Sequence, residues 1–166
     1  QQHGEDPDHP FLIWVHYIEP HAPYRYQRDF ADRLGITGGD PSRSDKYDTE
    51  IAAVDHEVGR LLEWLEHHLD GDRMITFFAA DHGESLGEHD FWGHGRNLLE
   101  PGLRLPMGIT GPGTIEQNVV DAHSRILDLG PTVLGLLSID APASFVGVDW
   151  TETLRGRTRG DGGAYC

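Results

Sequence analysis

The feature that most constrains the fold is a pair of short apolar runs separated by one long amphipathic stretch. The first run is FLIWVHYI (11–18) and the second is MITFFAA (74–80), and both contain β-branched and aromatic residues. Runs of this length and composition predict strands that are buried on both faces. Between them, apolar residues recur at intervals of three or four over residues 47–69, which predicts one long helix.

Two further segments complete the predicted architecture. LRLPMGIT (103–110) predicts a third strand, which Pro106 places near a sheet edge because proline cannot donate a ladder hydrogen bond. HSRILDLGPTVLGLLSI (123–139) predicts a second helix, and Ser44 or Asp45 is the expected cap of the first. Apolar strands that alternate with helices predict an α/β fold, with a mainly parallel sheet flanked by helices.

Composition limits the partners of the chain. Acidic residues outnumber basic residues 28 to 13, and the resulting net charge of −15 disfavours nucleic acid and anionic membranes. No apolar run is long enough to form a membrane-spanning segment. Lys46 is the only lysine, a pattern that suits both a protein of concentrated salt and an ordinary acidic protein. Cys166 is the only cysteine, so no internal disulfide forms, and compartment and oligomeric state stay open.

The stretch AADHGESLGEHDFWGHGR (79–96) carries two competing chemical hypotheses. Its segment GESLG (83–87) matches the G-x-S-x-G turn of serine hydrolases, in which the serine directly follows a strand and begins a packed helix. Here the apolar run ends at Ala80, and no helical period follows Gly87. The sequence therefore favours Ser85 as a loop hydroxyl that bonds to local backbone, with the nucleophile as the lesser alternative.

Asp81 and His82 directly follow the second apolar run, at the strand end where α/β sheets place ligands. A carboxylate oxygen and an imidazole nitrogen together suit a divalent ion of intermediate character. The plain alternative is a turn-capping aspartate beside a surface histidine. The glycine after the pair favours the metal hypothesis, because it permits close backbone approach.

Further polar residues are expected to join this pair. The carboxyl ends of neighbouring parallel strands lie at one sheet edge, so the ends of the two apolar runs should face one pocket. Imidazoles and a guanidinium around a metal favour an anion such as a sulfate or phosphate ester. The candidates for that pocket are His16, His21, His94 and Arg96.

With these residues in view, the chain resembles the sulfatases, members of the alkaline-phosphatase-like superfamily. Asp-His-Gly, followed by Gly-Glu-His and Gly-His-Gly, is the most specific part of the resemblance. Segments that match in the family's order run along most of the chain: 11–24, 47–65, 77–107, 128–137 and 146–156. The resemblance implies an alkaline-phosphatase-like fold, of which residues 1–166 would be part of the catalytic domain.

The resemblance also implies roles for single residues. Asp81 and His82 would be metal ligands, usually for calcium and sometimes for magnesium or manganese. His21 would bind the sulfuryl group or help to protonate the leaving oxygen. His94 lies next to the place where many relatives carry a sulfate-binding lysine, and Arg96 is its rival for that role.

Four further residues are expected to lie outside the direct contacts with metal and substrate. His16 is expected to lie behind the groups that contact the substrate. Glu84, Glu88 and His89 are expected to serve loop structure alone.

Two sulfatase motifs are not in this sequence. The family attacks with a formylglycine made from cysteine in a Cys-x-Pro-x-Arg motif, which an Asp-Asp metal pair precedes; neither occurs here. The chain is therefore expected to lack the N-terminal nucleophile-bearing part and the C-terminal subdomain, to be inactive alone, and to bind metal weakly.

The predicted function of the whole protein is metal-dependent hydrolysis of a small-molecule or glycan sulfate monoester. A phosphodiesterase, a phosphonate monoester hydrolase or a phospho-transferase of the same superfamily is the alternative. A non-catalytic anion-binding protein is the alternative of another class. The residues before Gln1 would discriminate, because a Cys-x-Pro-x-Arg motif there indicates a sulfatase and a serine or threonine indicates a phospho-enzyme.

Overall fold

A computed structural model describes residues 10–70, 73–112, 114 and 123–156, in two compact units, 1–62 and 63–166. The helices are α1 (Arg28–Ala31), α2 (Arg43–His68), α3 (Glu100–Leu103), α4 (Ile126–Leu136) and α5 (Thr151–Leu154). The strands are β1 (Thr76–Ala79), β2 (Ser85–Leu86), β3 (Trp92–Gly93) and β4 (Met107–Thr110). Cys166 lies outside the described residues. In the part of the chain described, no helix combines the length and apolarity that crossing a membrane requires.

Helix α2 confirms the long helix predicted over residues 47–69, and it begins earlier, at Arg43. The start is set by Ser42, whose backbone N–H donates to Asp45 Oδ2 at 2.8 Å. In return, the Asp45 N–H donates to Ser42 Oγ at 3.1 Å, so two otherwise unpaired groups are satisfied. The cap is therefore Ser42, and the expectation of Ser44 or Asp45 in that position is wrong.

The strand predicted over residues 11–18 is not formed. The segment has no regular secondary structure, and its side chains are largely exposed, Trp14 to 84% and Leu12 to 79%. A strand needs a partner to satisfy its backbone groups, and the described residues of the first unit contain no other strand. Apolar composition alone therefore does not make this segment a strand.

Strands β1 and β4 confirm the apolar runs 74–80 and 103–110 as strands. They pair antiparallel, with Thr76 opposite Thr110 and Ala79 opposite Met107, so the parallel arrangement expected from the sequence is not formed between them. The reason is the path of residues 80–106, which return the chain to the end of β1 without a crossover. Both ends of this long loop are consequently fixed at the same end of the two-stranded sheet, where Ala79 is opposite Met107.

A second antiparallel pair lies inside the loop. Ser85 of β2 is opposite Gly93 of β3, and Leu86 is opposite Trp92. The Gly87 N–H donates to the Phe91 carbonyl at 3.0 Å and closes the turn between the two strands. This hairpin fixes which side chains of the loop are neighbours.

The helix predicted over residues 123–139 is confirmed as α4, and Asp128 near its start is a buried centre of hydrogen bonding. Asp128 is 2% exposed, and its carboxylate accepts four hydrogen bonds from the residues that the structure describes. Its Oδ2 accepts from the Arg125 backbone N–H at 2.9 Å and from Trp150 Nε1 at 3.3 Å. Its Oδ1 accepts from Arg125 Nη2 at 3.0 Å and from the Val148 N–H at 2.8 Å. One carboxylate thus fastens the segment before α5 to the start of α4.

In the first unit, Thr49 joins α2 to the segment that follows His21. Thr49 is fully buried; its Oγ1 accepts from the Gln27 N–H at 3.0 Å and donates to the Lys46 carbonyl at 2.9 Å. The neighbouring Glu50, 2% exposed, accepts from the Arg25 N–H at 2.8 Å. Two adjacent side chains of α2 therefore hold residues 25–27 in place.

Replacing Thr49 with valine is expected to lower the free energy of unfolding by about 1–3 kcal/mol. Valine keeps the shape of threonine but leaves the Gln27 N–H without its acceptor. Thr49→Ser keeps the hydroxyl and is the matched control, which should lose less. Urea unfolding of the three proteins measures the difference, and a valine variant as stable as the wild type would contradict this role for the hydroxyl.

Candidate functional site

The loop over residues 80–106 is held close to α3 directly after the Asp81-His82 pair. The Gly83 N–H donates to the Gly102 carbonyl at 3.0 Å. A Cβ atom at Gly83 would overlap the carbonyl oxygens of Pro101 and Arg104, so only glycine fits here. The close approach fixes the backbone on the C-terminal side of both candidate metal ligands.

The Asp81-His82 pair brings an imidazole nitrogen near a carboxylate oxygen. His82 Nδ1 lies 2.8 Å from the Gly83 carbonyl oxygen, which can only accept, so Nδ1 carries the proton. In the neutral ring, Nε2 therefore has a free lone pair, and it lies 3.7 Å from Asp81 Oδ2. Two atoms at that separation can both reach one divalent ion at about 2.0–2.6 Å.

The other oxygen of Asp81 is used within the pair. Asp81 Oδ1 accepts from the His82 backbone N–H at 3.0 Å, which orients the carboxylate. The Asp81 side chain is 81% exposed and that of His82 is 39% exposed, so a cation can approach both. Among the residues that the structure describes, no group of three or more histidine, cysteine, aspartate or glutamate side chains is arranged to hold a metal. That Asp81 and His82 are metal ligands therefore stays a prediction, and a complete site would need further ligands.

His94 lies directly beside the pair. The His82 and His94 rings have centroids 3.8 Å apart and planes inclined by 32°. His94 Nδ1 lies 3.0 Å from Oε1 of Glu84, whose side chain is only 7% exposed. The structure thus brings together three of the predicted site residues, Asp81, His82 and His94, and adds Glu84 to them.

The sequence analysis missed this role of Glu84, because the two partners are ten residues apart in a loop. The signal is the hairpin: since Ser85 is opposite Gly93, the preceding Glu84 and the following His94 are neighbours across the two strands. A sequence analysis that recognised β2 and β3 would have found the pair. The expectation that Glu84 serves loop structure stays a prediction, and its contact with His94 across the hairpin is in accord with it.

The remaining candidates are placed separately. Arg96 lies in the same loop as His94 and is exposed. His16 and His21 belong to the first unit and are both exposed, and His21 Nδ1 lies 2.8 Å from the Ala22 carbonyl oxygen. Their membership of one pocket with Asp81 stays a prediction.

Ser85 does not have the position of a nucleophile. It is fully buried in β2, away from any strand-to-helix turn, so its hydroxyl cannot meet a substrate in this structure. Its Oγ has no hydrogen-bond partner among the described residues, so the expected bonds to local backbone are also wrong. Glu88, in contrast, has the expected structural role, because its Oε2 accepts from the Leu86 N–H at 2.6 Å.

Comparison with known proteins gives the same family along most of the chain. A family model described as Sulfatase matches residues 1–139. A low-salt glycan biosynthesis sulfotransferase, Agl7, of Haloferax volcanii is 29% identical over 165 residues, which cover 92% of this chain and 40% of that protein. An N-acetylglucosamine-6-O-sulfatase of Bacteroides thetaiotaomicron is 32% identical over 118 residues, which cover 69% of this chain and 21% of that protein.

Solved structures agree with the sequence matches. A crystal structure of a putative sulfatase from Bacteroides thetaiotaomicron superposes with a TM-score of 0.61 at 27% identity, over 70% of this chain and 25% of that one. This similarity confirms the alkaline-phosphatase-like fold class predicted from the sequence. The chain spans less than half the length of these relatives. By the match over residues 1–139, the chain belongs to the sulfatase family.

Proposed function

We propose that the complete protein hydrolyses a sulfate monoester and that Asp81 and His82 are two of its metal ligands. The observation that carries this proposal is the 3.7 Å separation of Asp81 Oδ2 and His82 Nε2, with the His82 proton held at Nδ1. A divalent ion, calcium first and magnesium or manganese otherwise, would polarise the ester oxygens there. The name of the Bacteroides relative supports a glycan as the alcohol that carries the sulfate.

The other candidate residues have roles at the anion. His94, beside His82, and Arg96 are the two candidates to stabilise charge on the ester oxygens. His21 would bind the sulfuryl group or donate a proton to the leaving alcohol, and His16 would lie behind it. The nucleophile, a formylglycine in sulfatases, needs a Cys-x-Pro-x-Arg motif that residues 1–166 do not contain.

This chain alone would therefore be inactive. Residues 1–166 would be one part of a longer catalytic domain, because they span only 21–40% of the length of the two relatives described. A site with two ligands from this part alone would hold its metal weakly. Activity is therefore a property to be measured on the complete protein.

A second candidate function is transfer of the sulfuryl group to another alcohol instead of water. The observation that favours it is the name of the Haloferax relative, a sulfotransferase that matches 92% of this chain. Both reactions break the same sulfur–oxygen bond and use the same anion-binding groups. They differ in the acceptor, so the fate of the sulfuryl group distinguishes them.

The complete protein is expected to release the alcohol from an aryl sulfate much faster than from the matched aryl phosphate. Free sulfate as the second product indicates hydrolysis, and a sulfated acceptor indicates transfer. Ser85→Ala should retain about the wild-type rate, because the buried hydroxyl bonds to nothing described. Faster reaction with the phosphate would favour a phospho-enzyme. No reaction with either ester would favour an anion-binding protein. Loss of activity in Ser85→Ala would favour Ser85 as the nucleophile of a serine hydrolase.

A further inference from the structure

A groove in the first unit is lined by two basic side chains. Its walls are formed by Ala22, Pro23 and Tyr24 on one side and by Arg43 and Lys46 of α2 on the other. We call it the basic groove. Its volume is about 600 Å³, which is typical of sites that bind small ligands.

The charge of the basic groove is opposite to that of the chain. Basic residues number 13 against 28 acidic residues, and Lys46 is the only lysine. Asp45 and Asp48, the acids closest to Lys46 in the sequence, line a separate groove of about 620 Å³. The charged side chains that line the basic groove are therefore both positive.

The stability of α2 does not explain why two bases lie at its start. The positive end of the helix dipole lies at the first turn, where acidic side chains are favoured and basic side chains are disfavoured. The backbone at this end is already capped by Ser42 and Asp45. Arg43 and Lys46 therefore weaken the helix slightly, and an anion bound between them would offset that loss.

Both walls of the basic groove are fixed by contacts within the protein. Arg43 Cζ lies 5.3 Å from the centre of the Tyr24 ring, and Tyr24 is 8% exposed and packs edge-on against Tyr47. Two buried side chains of α2 hold the following residues 25–27 in place. A cation–π contact uses the face of a guanidinium, whereas oxyanions pair with its N–H edge. Because the groove is already ordered, binding there loses little entropy.

The basic groove begins at the residue that follows His21. His21 Nδ1 lies 2.8 Å from the carbonyl oxygen of Ala22, which lines the groove. The proposed function places His21 at the sulfate ester that is cleaved. The groove is therefore adjacent to the proposed position of the substrate.

We propose that the basic groove binds a second anionic group of the substrate, a sulfate or a carboxylate on the sugar that carries the cleaved ester. Arg43 pairs with two oxygens of that group, and Lys46 contributes a compact positive charge. The inference rests on the proposed function in so far as His21 lies at the cleaved ester. It defines the substrate as a sugar with at least two negative charges, for which Arg43 and Lys46 determine specificity.

The first test measures binding and does not need activity. In the complete protein, peptide mass spectrometry follows the rate at which acetic anhydride acetylates the half-buried Lys46. The probes are the monosulfates of glucose and galactose, the disulfates that add one sulfate to each, and the matched sulfates of the two uronic acids. At least one doubly anionic sugar should slow acetylation several-fold more than its monosulfate does.

The pattern of protection identifies the second group. Protection by the disulfates alone assigns a sulfate to the basic groove, and protection by the uronic acid sulfates alone assigns a carboxylate. Equal protection by the monosulfates would show that the groove holds the only sulfate present, and it would contradict the proposal. Acetylation of Lys46 at one rate with every probe would also contradict it.

The second test is kinetic and uses the same sugars. Its readout is kcat/KM for a doubly anionic sugar sulfate divided by kcat/KM for the matched monosulfate, a ratio that a general loss of folding does not change. Lys46→Gln should lower this ratio about tenfold, because it removes a hydrogen bond between two charged groups. Lys46→Arg, which keeps the charge, should retain most of the ratio.

The matched control is Arg60→Gln, which removes a base from the same helix. Arg60 forms an exposed ion pair with Glu57 and does not line the basic groove, so the ratio should keep its wild-type value. A wild-type ratio in Lys46→Gln, or an equal decrease in Arg60→Gln, would overturn the proposal.

The two tests separate the inference from the proposed function. If the complete protein cleaves no sulfate ester while doubly anionic sugars protect Lys46, the proposed function is wrong and binding of such sugars in the basic groove stands. If the protein cleaves sulfate esters but neither the acetylation rate nor the ratio depends on the second charge, the proposed function stands and the inference is wrong.

Discussion

Replacing Asp128 with alanine is expected to lower the free energy of unfolding by about 3–5 kcal/mol. The substitution leaves the Val148 N–H and the Trp150 indole N–H without their acceptor, and it removes the partner of the Arg125 guanidinium. Such a loss is a large part of the roughly 5–15 kcal/mol that holds a typical domain folded. Urea unfolding, followed by the fluorescence of the tryptophans, measures it.

The matched control is Asp128→Asn, which keeps one acceptor oxygen and the shape of the side chain. It should lose less than Asp128→Ala. Glu152→Ala, a change at a half-exposed ion pair of α5 with Arg155, should lose under about 1 kcal/mol. If Asp128→Ala unfolds at the wild-type urea concentration, the carboxylate does not hold α4 and the segment before α5 together.

The same carboxylate predicts a dependence of stability on pH. Burial by itself raises the pKa of Asp128, but the hydrogen bonds from Arg125, Val148 and Trp150 outweigh it and hold the pKa below the ordinary 3.8. A carboxylate with a lowered pKa stabilises the folded state at pH values above the unfolded pKa, and this contribution is lost as the pH falls below it. The stability difference between wild type and Asp128→Asn should therefore shrink as the pH falls from above the ordinary 3.8 through the lower pKa that Asp128 has in the folded state.

Replacing Asp81 with alanine is expected to lower the sulfatase rate of the complete protein by about a thousandfold. The substitution removes the oxygen that lies 3.7 Å from His82 Nε2. Under the proposed function, the cation would lose a ligand and the ester oxygens would lose part of their polarisation. Thermal stability should change little, because the Asp81 side chain is 81% exposed. Steady-state kinetics over a range of calcium concentrations, with and without a chelator, measures the effect.

The matched control is Asp90→Asn, which removes an exposed negative charge from the same loop and suits its positive φ of 58°. Asp90→Asn should keep about the wild-type rate and the wild-type calcium dependence. Excess calcium should restore part of the Asp81→Ala activity, since weaker binding is overcome by concentration. A wild-type rate that is indifferent to chelation would contradict the metal proposal.

Periodicity gave most of the regular structure, because it reports which residues one element can bury together. The stripe over residues 47–69 defined α2, and short apolar runs defined β1 and β4. Periodicity did not predict which strands pair. The run over residues 11–18 has a strand-like composition but no strand partner in the described part of its unit. The antiparallel pairing of β1 with β4 likewise depends on the path of the loop between them, which the apolar pattern does not encode.

The polar residues also differ in how far the sequence alone predicts their contacts. The proximity of Asp81 and His82 just after β1 was predictable, because both follow the apolar run directly; their role as metal ligands stays a prediction. The contact of Glu84 with His94 was not predictable, because it follows from the register of a two-residue hairpin. Asp128 was also missed: its partners at residues 148 and 150 lie about 20 positions along the chain, in a segment without regular structure before α5.

The most direct test of the metal proposal is the location of the cation in crystals of the complete protein. With manganese in place of calcium, an anomalous difference map should show one peak within about 2.0–2.6 Å of both Asp81 Oδ2 and His82 Nε2. A peak at other residues, with Asp81 and His82 directed into solvent, would contradict it.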